Sequence, residues 1–483
     1  MTAPALPVSG ESLRSWAPLA IPAALLFLLG LYSTQAALLV IVGVGALAGI
    51  WVIWHLDPAW TLSIGLALMV FNGRWAEIGL PIGPDRVFVL IGIAVVLLRG
   101  PAMVDRPRLR LYPGVWLLAA LLIVIVGSSL FNGSLGDRTG FLDLADGIGV
   151  VPLLMLLAAP FAFRTARQRA ILLGTLIALG AYLGLMALFE TVGPDVLVQP
   201  AYILDPNVGL HAERARGPLV EAVHNGLALF GCACVALIGA LSFREKTAKY
   251  FALGVAILCL MGCLFTLTRS IWLAVAFSML FCVLAFKPLR RYASGMTILG
   301  VVLVVGLLVL VPGLSDSADN RAGSQLPVWD RLNLNSAAAN AVVDRPLTGL
   351  GWGQFEEEGV PYFRLAENRP VTGVGQPAHN TFLGHAAELG LPGVMLWIIA
   401  MLAIVAAAVG RQPPEGYEYW RIAFVAYTIA LVIVANFVML IYPFAILLFC
   451  ALAGLLMGPR LYADMDGRTS PAERPATPSP VSA

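Results

Sequence analysis

Residues 379–410 read HNTFLGHAAELGLPGVMLWIIAMLAIVAAAVG, a polar half followed by an apolar half with no charged residue between 391 and 410. As a helix, the second half is long enough to cross a hydrocarbon core about 30 Å thick. The first half sets His379, His385 and Glu388 at the membrane edge, where ionisable side chains are costly and usually functional. That reading decides the class: a helical membrane protein whose chemistry lies in the exceptions to its apolar pattern.

Working outward, the apolar pattern recurs along the chain. Fourteen segments stand out, at about 17–32, 36–54, 59–72, 85–99, 114–131, 148–163, 170–190, 218–242, 249–267, 270–286, 293–311, 391–410, 422–440 and 443–458. The fourth, sixth and last are short, which allows 12–14 spans. Of the 483 residues 59% are hydrophobic and 12% charged, against about 25% charged in soluble domains. Backbone in lipid must be satisfied internally, so the runs are read as helices and the fold as all-α and polytopic. The six cysteines all fall in apolar segments, which reads as small buried residues rather than a disulfide framework. A formal net charge of +2 says little about partners, no nucleic acid is expected among them, and the start of the chain reads as carrying no removable leader.

Basic residues orient the spans. Arg99, Arg106, Arg108, Arg110, Arg164, Arg167 and Arg169 fall in connections on one side. Arg244, Lys246, Lys249, Lys287, Arg290, Arg291, Arg411 and Arg421 continue the series, with every lysine of the chain among them. That side is read as cytoplasmic and both termini as inside. Residues 1–311 then hold spans one to eleven with a long outer connection at 191–217. Residues 312–390 form a large, partly helical periplasmic loop, 391–458 the last three spans, and 459–483 a disordered cytoplasmic tail rich in Pro, Ser and Ala. Within the large loop AAANAVVD reads as helix, and Gly349, Gly351 and Gly353 imply tight turns and close backbone approach.

Four polar constellations lie on the outer side. In TLTRSIWLA, Arg269 sits between two spans with Thr268 and Ser270 beside it, which suits an anion site, although a lone arginine there also serves as a snorkelling anchor. In HAERARGPLVEAVHNG, Arg214 and Arg216 precede Gly217-Pro218 at the expected start of a span, with Glu221, His224 and Asn225 following. Guanidinium groups and a free helix N-terminus both favour a diphosphate; a polar rim at the bilayer interface is the other reading. His379 is a natural general base near neutral pH, with Asn380 next to it to orient a hydroxyl, or else a capping histidine. His385 and Glu388 share one helical face, without the HExxH spacing of a metal site. Asp137, Asp143 and Asp146 lack a tight DxD triplet, which favours a solvated loop over a cation site.

Taken together, these stretches resemble the O-antigen ligase and O-antigen polymerase family of bacterial inner-membrane glycosyltransferases. His379, Asn380, Leu383, Glu388 and Gly390 are similar to its His-Asn/Ser…Leu…Glu-x-Gly signature. Pro346, Gly349, Gly351, Gly353 and Phe355 resemble its glycine-rich stretch, and TLTRSIWLA and RARGPL two further motifs, all in family order. Thr268 departs from the usual serine of the third motif. The resemblance implies an undecaprenyl-diphosphate-linked glycan as donor and a glycan or lipid-linked acceptor. It further implies arginines on the diphosphate (Arg214, Arg216, Arg269), His379 near the acceptor hydroxyl, Asn380, Glu388 and His224 in support, and no cofactor or required metal. The form of RARGPL favours a polymerase over a ligase acting on a lipid A-core acceptor. A polysaccharide or lipid flippase is the alternative from another class, and would more usually show repeats with broken helices.

Overall fold

The computed structural model describes residues 57–80, 83–99, 112–134, 143–147, 149–295, 298, 326–365, 370–410 and 413–469, plus isolated helical positions between 43 and 55. Every regular element among the described residues is helical. In chain order the main helices are α1 (Pro58–Leu68), α2 (Pro84–Arg99), α3 (Pro113–Phe131), α4 (Val150–Ala162), α5 (Ala166–Val192) and α6 (Ala222–Ser242). They continue with α7 (Lys246–Phe265), α8 (Arg269–Ala285), α9 (Leu326–Asp344), α10 (Thr381–Val409), α11 (Glu418–Ala435) and α12 (Pro443–Thr469).

By length and composition six of these, α3, α5, α6, α7, α10 and α11, can cross a membrane; α4, α8 and the apolar stretches Pro58–Phe71 and Pro443–Pro459 are shorter. The expected segments at 17–32, 36–54 and 293–311 lie wholly or mostly outside the described residues. The remaining expected segments each fall on one of the helices above.

α6 is the most enclosed of the six and packs on α5, α7 and α11. Small residues permit this: a Cβ on Gly180 of α5 would lie 2.9 Å from Cys232 of α6 and 3.0 Å from Cys259 of α7. Lipid supplies little hydrophobic drive between helices, so close approach at small residues supplies the contact. All six cysteines are buried and unpaired here, as their apolar setting predicts.

Three boundaries differ from expectation. α6 starts at Ala222 rather than at 218, because Gly217–Leu219 forms a 3₁₀ turn and Val220 takes a left-handed φ of 48°. Residues 381–389 are not loop but a first helical segment of α10, separated from its apolar remainder at Gly390, with φ 71° and ψ 178°. α12 runs to Thr469, so helix occupies the beginning of the stretch from 459 expected to be disordered.

Within the large loop, α9 is longer than AAANAVVD alone. Its Leu334, Ala337, Ala338 and Ala341 pack with Leu350, Phe355, Ala378 and Ala387 into a small core of their own. Trp352 joins the main core instead.

Candidate active site

A cavity of about 450 Å³ is lined by His211, Glu213, Arg214, Thr268, Arg269, Ser270 and Arg331, with Leu267, Leu273, Val328 and Phe437 as its apolar wall. The 211–215 stretch reaches it because the Ala215 N–H donates to the Phe265 carbonyl at 3.2 Å, at the end of α7. The chain then turns through Leu267, at φ 48°, and α8 begins at Arg269. Thr268 occupies the N-cap position without a side-chain cap, its Oγ1 donating instead to the Thr266 carbonyl at 2.9 Å. The uncapped N-terminus of α8 therefore belongs to the cavity wall, where its N–H groups favour an anion.

Three guanidinium groups, Arg214, Arg269 and Arg331, face one carboxylate in this lining. That carboxylate, Glu213, lies 3.3 Å from Arg214 and 3.7 Å from His211. Burial and the neighbouring Arg269 push Arg331 below its ordinary pKa, a sign of crowded positive charge. Among the described residues the non-glycine positions with positive φ are His211, Val220 and Leu267, and two of the three line this cavity. Each such residue costs about 1–2 kcal/mol, and strain of this kind concentrates at functional sites.

His379 lies half-buried immediately before α10. Burial, then Arg331, lowers its pKa below the usual histidine value, with a smaller contribution from His211, while Asp330 and Glu221 act in the opposite sense. Burial, aided by Arg331 of the cavity, thus favours the neutral ring, the form able to accept a proton. Arg214 and Arg269 line one cavity; His379 is outside that lining and is linked to it through Arg331 and His211.

Other expectations need correction. Arg216 is fully buried, and its Nε and Nη2 donate to the Ile203 carbonyl at 2.9 and 2.8 Å. Nη2 also donates to the Asp205 carbonyl at 2.5 Å and Nη1 to that of Val208 at 2.6 Å. With its fork committed to backbone oxygens, Arg216 clamps the 203–208 loop and does not face a diphosphate. His224 is equally internal: its Nδ1 lies 2.6 Å from the Glu221 carboxylate and its ring packs on Tyr442 at 4.6 Å. Glu221 also accepts the His224 N–H at 2.7 Å as the N-cap of α6, so that helix start is closed by its own carboxylate rather than free for an anion. Asn380, expected to orient a hydroxyl, has its side chain engaged with backbone. Its Oδ1 accepts the Leu383 N–H at 3.0 Å as the N-cap of α10, and its Nδ2 donates to the Asn436 carbonyl at 3.4 Å.

Glu388 is buried in the first segment of α10 and borders a second cavity beside His385. Its main chain explains the glycine-rich stretch. The Leu350 and Gly351 N–H groups donate to the Ala387 and Glu388 carbonyls at 2.8 and 2.9 Å, and the Leu391 N–H donates to that of Pro346 at 2.7 Å. At Gly349 (φ 65°) a Cβ would sit 2.4 Å from the Glu388 backbone, and at Gly390 (φ 71°) 2.6 Å from that of Leu347. Two motifs distant in sequence are one interlocked unit, and only glycine fits at its contacts.

Asp137 lies outside the described residues, and Asp143 and Asp146 fall in the single turn Asp143–Gly147. No group of three or more His, Cys, Asp or Glu among the described residues could hold a metal ion. Sequence reasoning missed Arg331 and Glu190. The first sits in WDRLN with no motif around it, and matters only because α9 folds across the cavity. The second accepts the Arg216 and Gly217 N–H groups at 2.9 and 3.1 Å from the end of α5.

Residues 254–398 match a family model described as O-antigen ligase, a stretch running from α7 into α10 and carrying Arg269, Arg331, the glycine interlock and His379. No curated protein matches the chain.

Proposed function

We propose that this chain, a membrane protein with an O-antigen ligase domain over residues 254–398, moves a glycan from an undecaprenyl-diphosphate-linked donor to a sugar hydroxyl. The observation that carries the proposal is the meeting of Arg214, Arg269, Arg331 and the open N-terminus of α8 in one cavity, with His379 near enough to feel Arg331. In this reading the donor diphosphate rests on the three arginines. His379 takes the proton of the acceptor hydroxyl, whose oxygen bonds to the anomeric carbon. The bond from that carbon to the diphosphate oxygen breaks, and the diphosphate leaves with the electron pair. Preorganised guanidinium groups stabilise the charge that develops there, and the histidine supplies general-base help.

The basic-residue pattern supports both termini in the cytoplasm of a bacterial inner membrane and residues 312–390 on the outer face; the O-antigen ligase match supports O-antigen, capsule or exopolysaccharide as the product class. Within this reading a polymerase, working alongside chain-length partners, is preferred to a ligase on a lipid A-core acceptor, on the form of RARGPL. Proteoliposomes containing the chain and a labelled undecaprenyl-diphosphate glycan test the proposal. Longer glycans still bound to lipid diphosphate are the expected product. Transfer to added lipid A-core identifies a ligase, and donor that crosses the bilayer with no new glycosidic bond refutes the enzyme in favour of a flippase.

A further inference from the structure

A second cavity, of about 100 Å³, adjoins the base: Pro377 and Ala378, directly before His379, line it together with His385, Glu388, Trp352 and Glu356. His385 is 2% exposed, held between Trp352 at 5.5 Å and Trp397 at 5.0 Å, and neither of its ring nitrogens has a hydrogen-bond partner. The Trp352 Nε1 beside it is likewise buried and unpartnered. Buried polar atoms are almost always hydrogen-bonded, so a wall with three unsatisfied nitrogens suits a ligand rich in hydroxyls. The arrangement does not suit a cation, since no metal-binding group occurs among the described residues. Nor does it suit an anion: Glu388 is in the wall, and the exposed Glu356 adjoins Glu357 and Glu358.

We propose that this cavity is the acceptor subsite, taking the hydroxyl-bearing edge of one uncharged sugar ring on His385 and Glu388, while Glu356 rejects uronic and other acidic sugars. The inference rests on the glycosyl-transfer reading and adds to it the class of acceptor. It also accounts for the interlock, which fixes Glu388 and Trp352 against each other beside the residue that would take the proton. A ring held there presents a neighbouring hydroxyl toward His379.

Cysteine protection tests this on the full chain in nanodiscs, where the native cysteines are all buried. Ile441→Cys reports on this cavity, and Val328→Cys on the arginine cavity. Methyl glycosides of neutral hexoses and N-acetylhexosamines should slow maleimide labelling of Ile441→Cys, and methyl glucuronide should not. His385→Leu should weaken that protection roughly tenfold, the scale of one buried hydrogen bond. Glu356→Lys, at an exposed position, should let the glucuronide protect. Absence of protection by every neutral glycoside, equal protection by the glucuronide, or protection unchanged in His385→Leu would each overturn the subsite. Undecaprenyl diphosphate should protect Val328→Cys. If it does so while no glycoside protects Ile441→Cys, the acceptor subsite fails and the donor reading stands. Glycoside protection at Ile441→Cys without diphosphate protection at Val328→Cys keeps the sugar pocket and removes the donor reading.

Discussion

Two helix starts, those of α6 and α8, each follow an arginine-bearing motif, yet they have opposite fates. At α6 the helix is closed by its own Glu221, and the nearby Arg216 is consumed by the carbonyls of Ile203, Asp205 and Val208. At α8 no side chain caps the helix, and Arg269 is exposed in a cavity shared with Arg214 and Arg331. Arg214 and Arg216 are two residues apart and fall on either side of this division. Charge and proximity in sequence do not separate the two; burial among backbone carbonyls on one side and a cavity wall on the other do.

The contrast breaks most decisively at His379. His379→Ala should lower transfer by about 100- to 10,000-fold per folded molecule, the range of general-base contributions, with normal membrane abundance. Full specific activity in the surviving protein would return this histidine to the scaffold. Arg269→Lys should cost roughly 100-fold at normal abundance, because lysine keeps the charge but loses the planar fork. Near-normal turnover in proteoliposomes would make Arg269 an interfacial anchor and leave the α8 side without its main evidence.

Arg216→Lys should behave in the reverse manner. Loss of the fork leaves buried carbonyls unpaired and should destabilise the fold by roughly 3 kcal/mol, visible as a lower unfolding midpoint, while transfer per folded molecule is kept. Normal stability with lost turnover would place Arg216 with the chemistry after all. Apart from the turnover lost with its grip on the diphosphate, Arg331 should show the smallest effect of all, a shift in pH profile through His379. Because the pKa of His379 is lowered, its neutral form prevails above that lowered value, so activity should rise with pH below the usual histidine range and then level off. Arg331→Gln removes a positive neighbour and should move the rising limb to higher pH, against the remaining His211, Asp330 and Glu221. A pH profile unchanged in Arg331→Gln would separate the two residues.

The membrane class was legible because hydrocarbon imposes one constraint on every span, and 391–410 meets it without a single charge. The glycines were legible too, since few residues other than Gly tolerate close backbone contact; that Gly349 and Gly390 answer each other was not, because pairing is a tertiary fact. Arg216 was misread for the same reason: nothing in RARG reveals that the backbone thirteen residues earlier wraps its side chain. The start of α6 was misread because Val220 adopts a conformation that valine rarely takes. Arg331 carried no local signal, since its importance depends on which surface α9 covers.

The interlock around Gly390 also braces the helix that carries Arg331. Three backbone hydrogen bonds rivet the 346–351 stretch to α10, just beyond the C-terminal end of α9. Arg331 lies at the other end of that helix, about 20 Å from the rivets at 1.5 Å per residue. Near Arg331 the same helix is tied a second time, where the Asn333 Nδ2 donates to the Pro370 carbonyl at 2.9 Å. Arg331 is thus set against its cavity by a helix braced at two points, and any movement that widens the cavity on the side of Arg331 and Val328 must first break one of those ties.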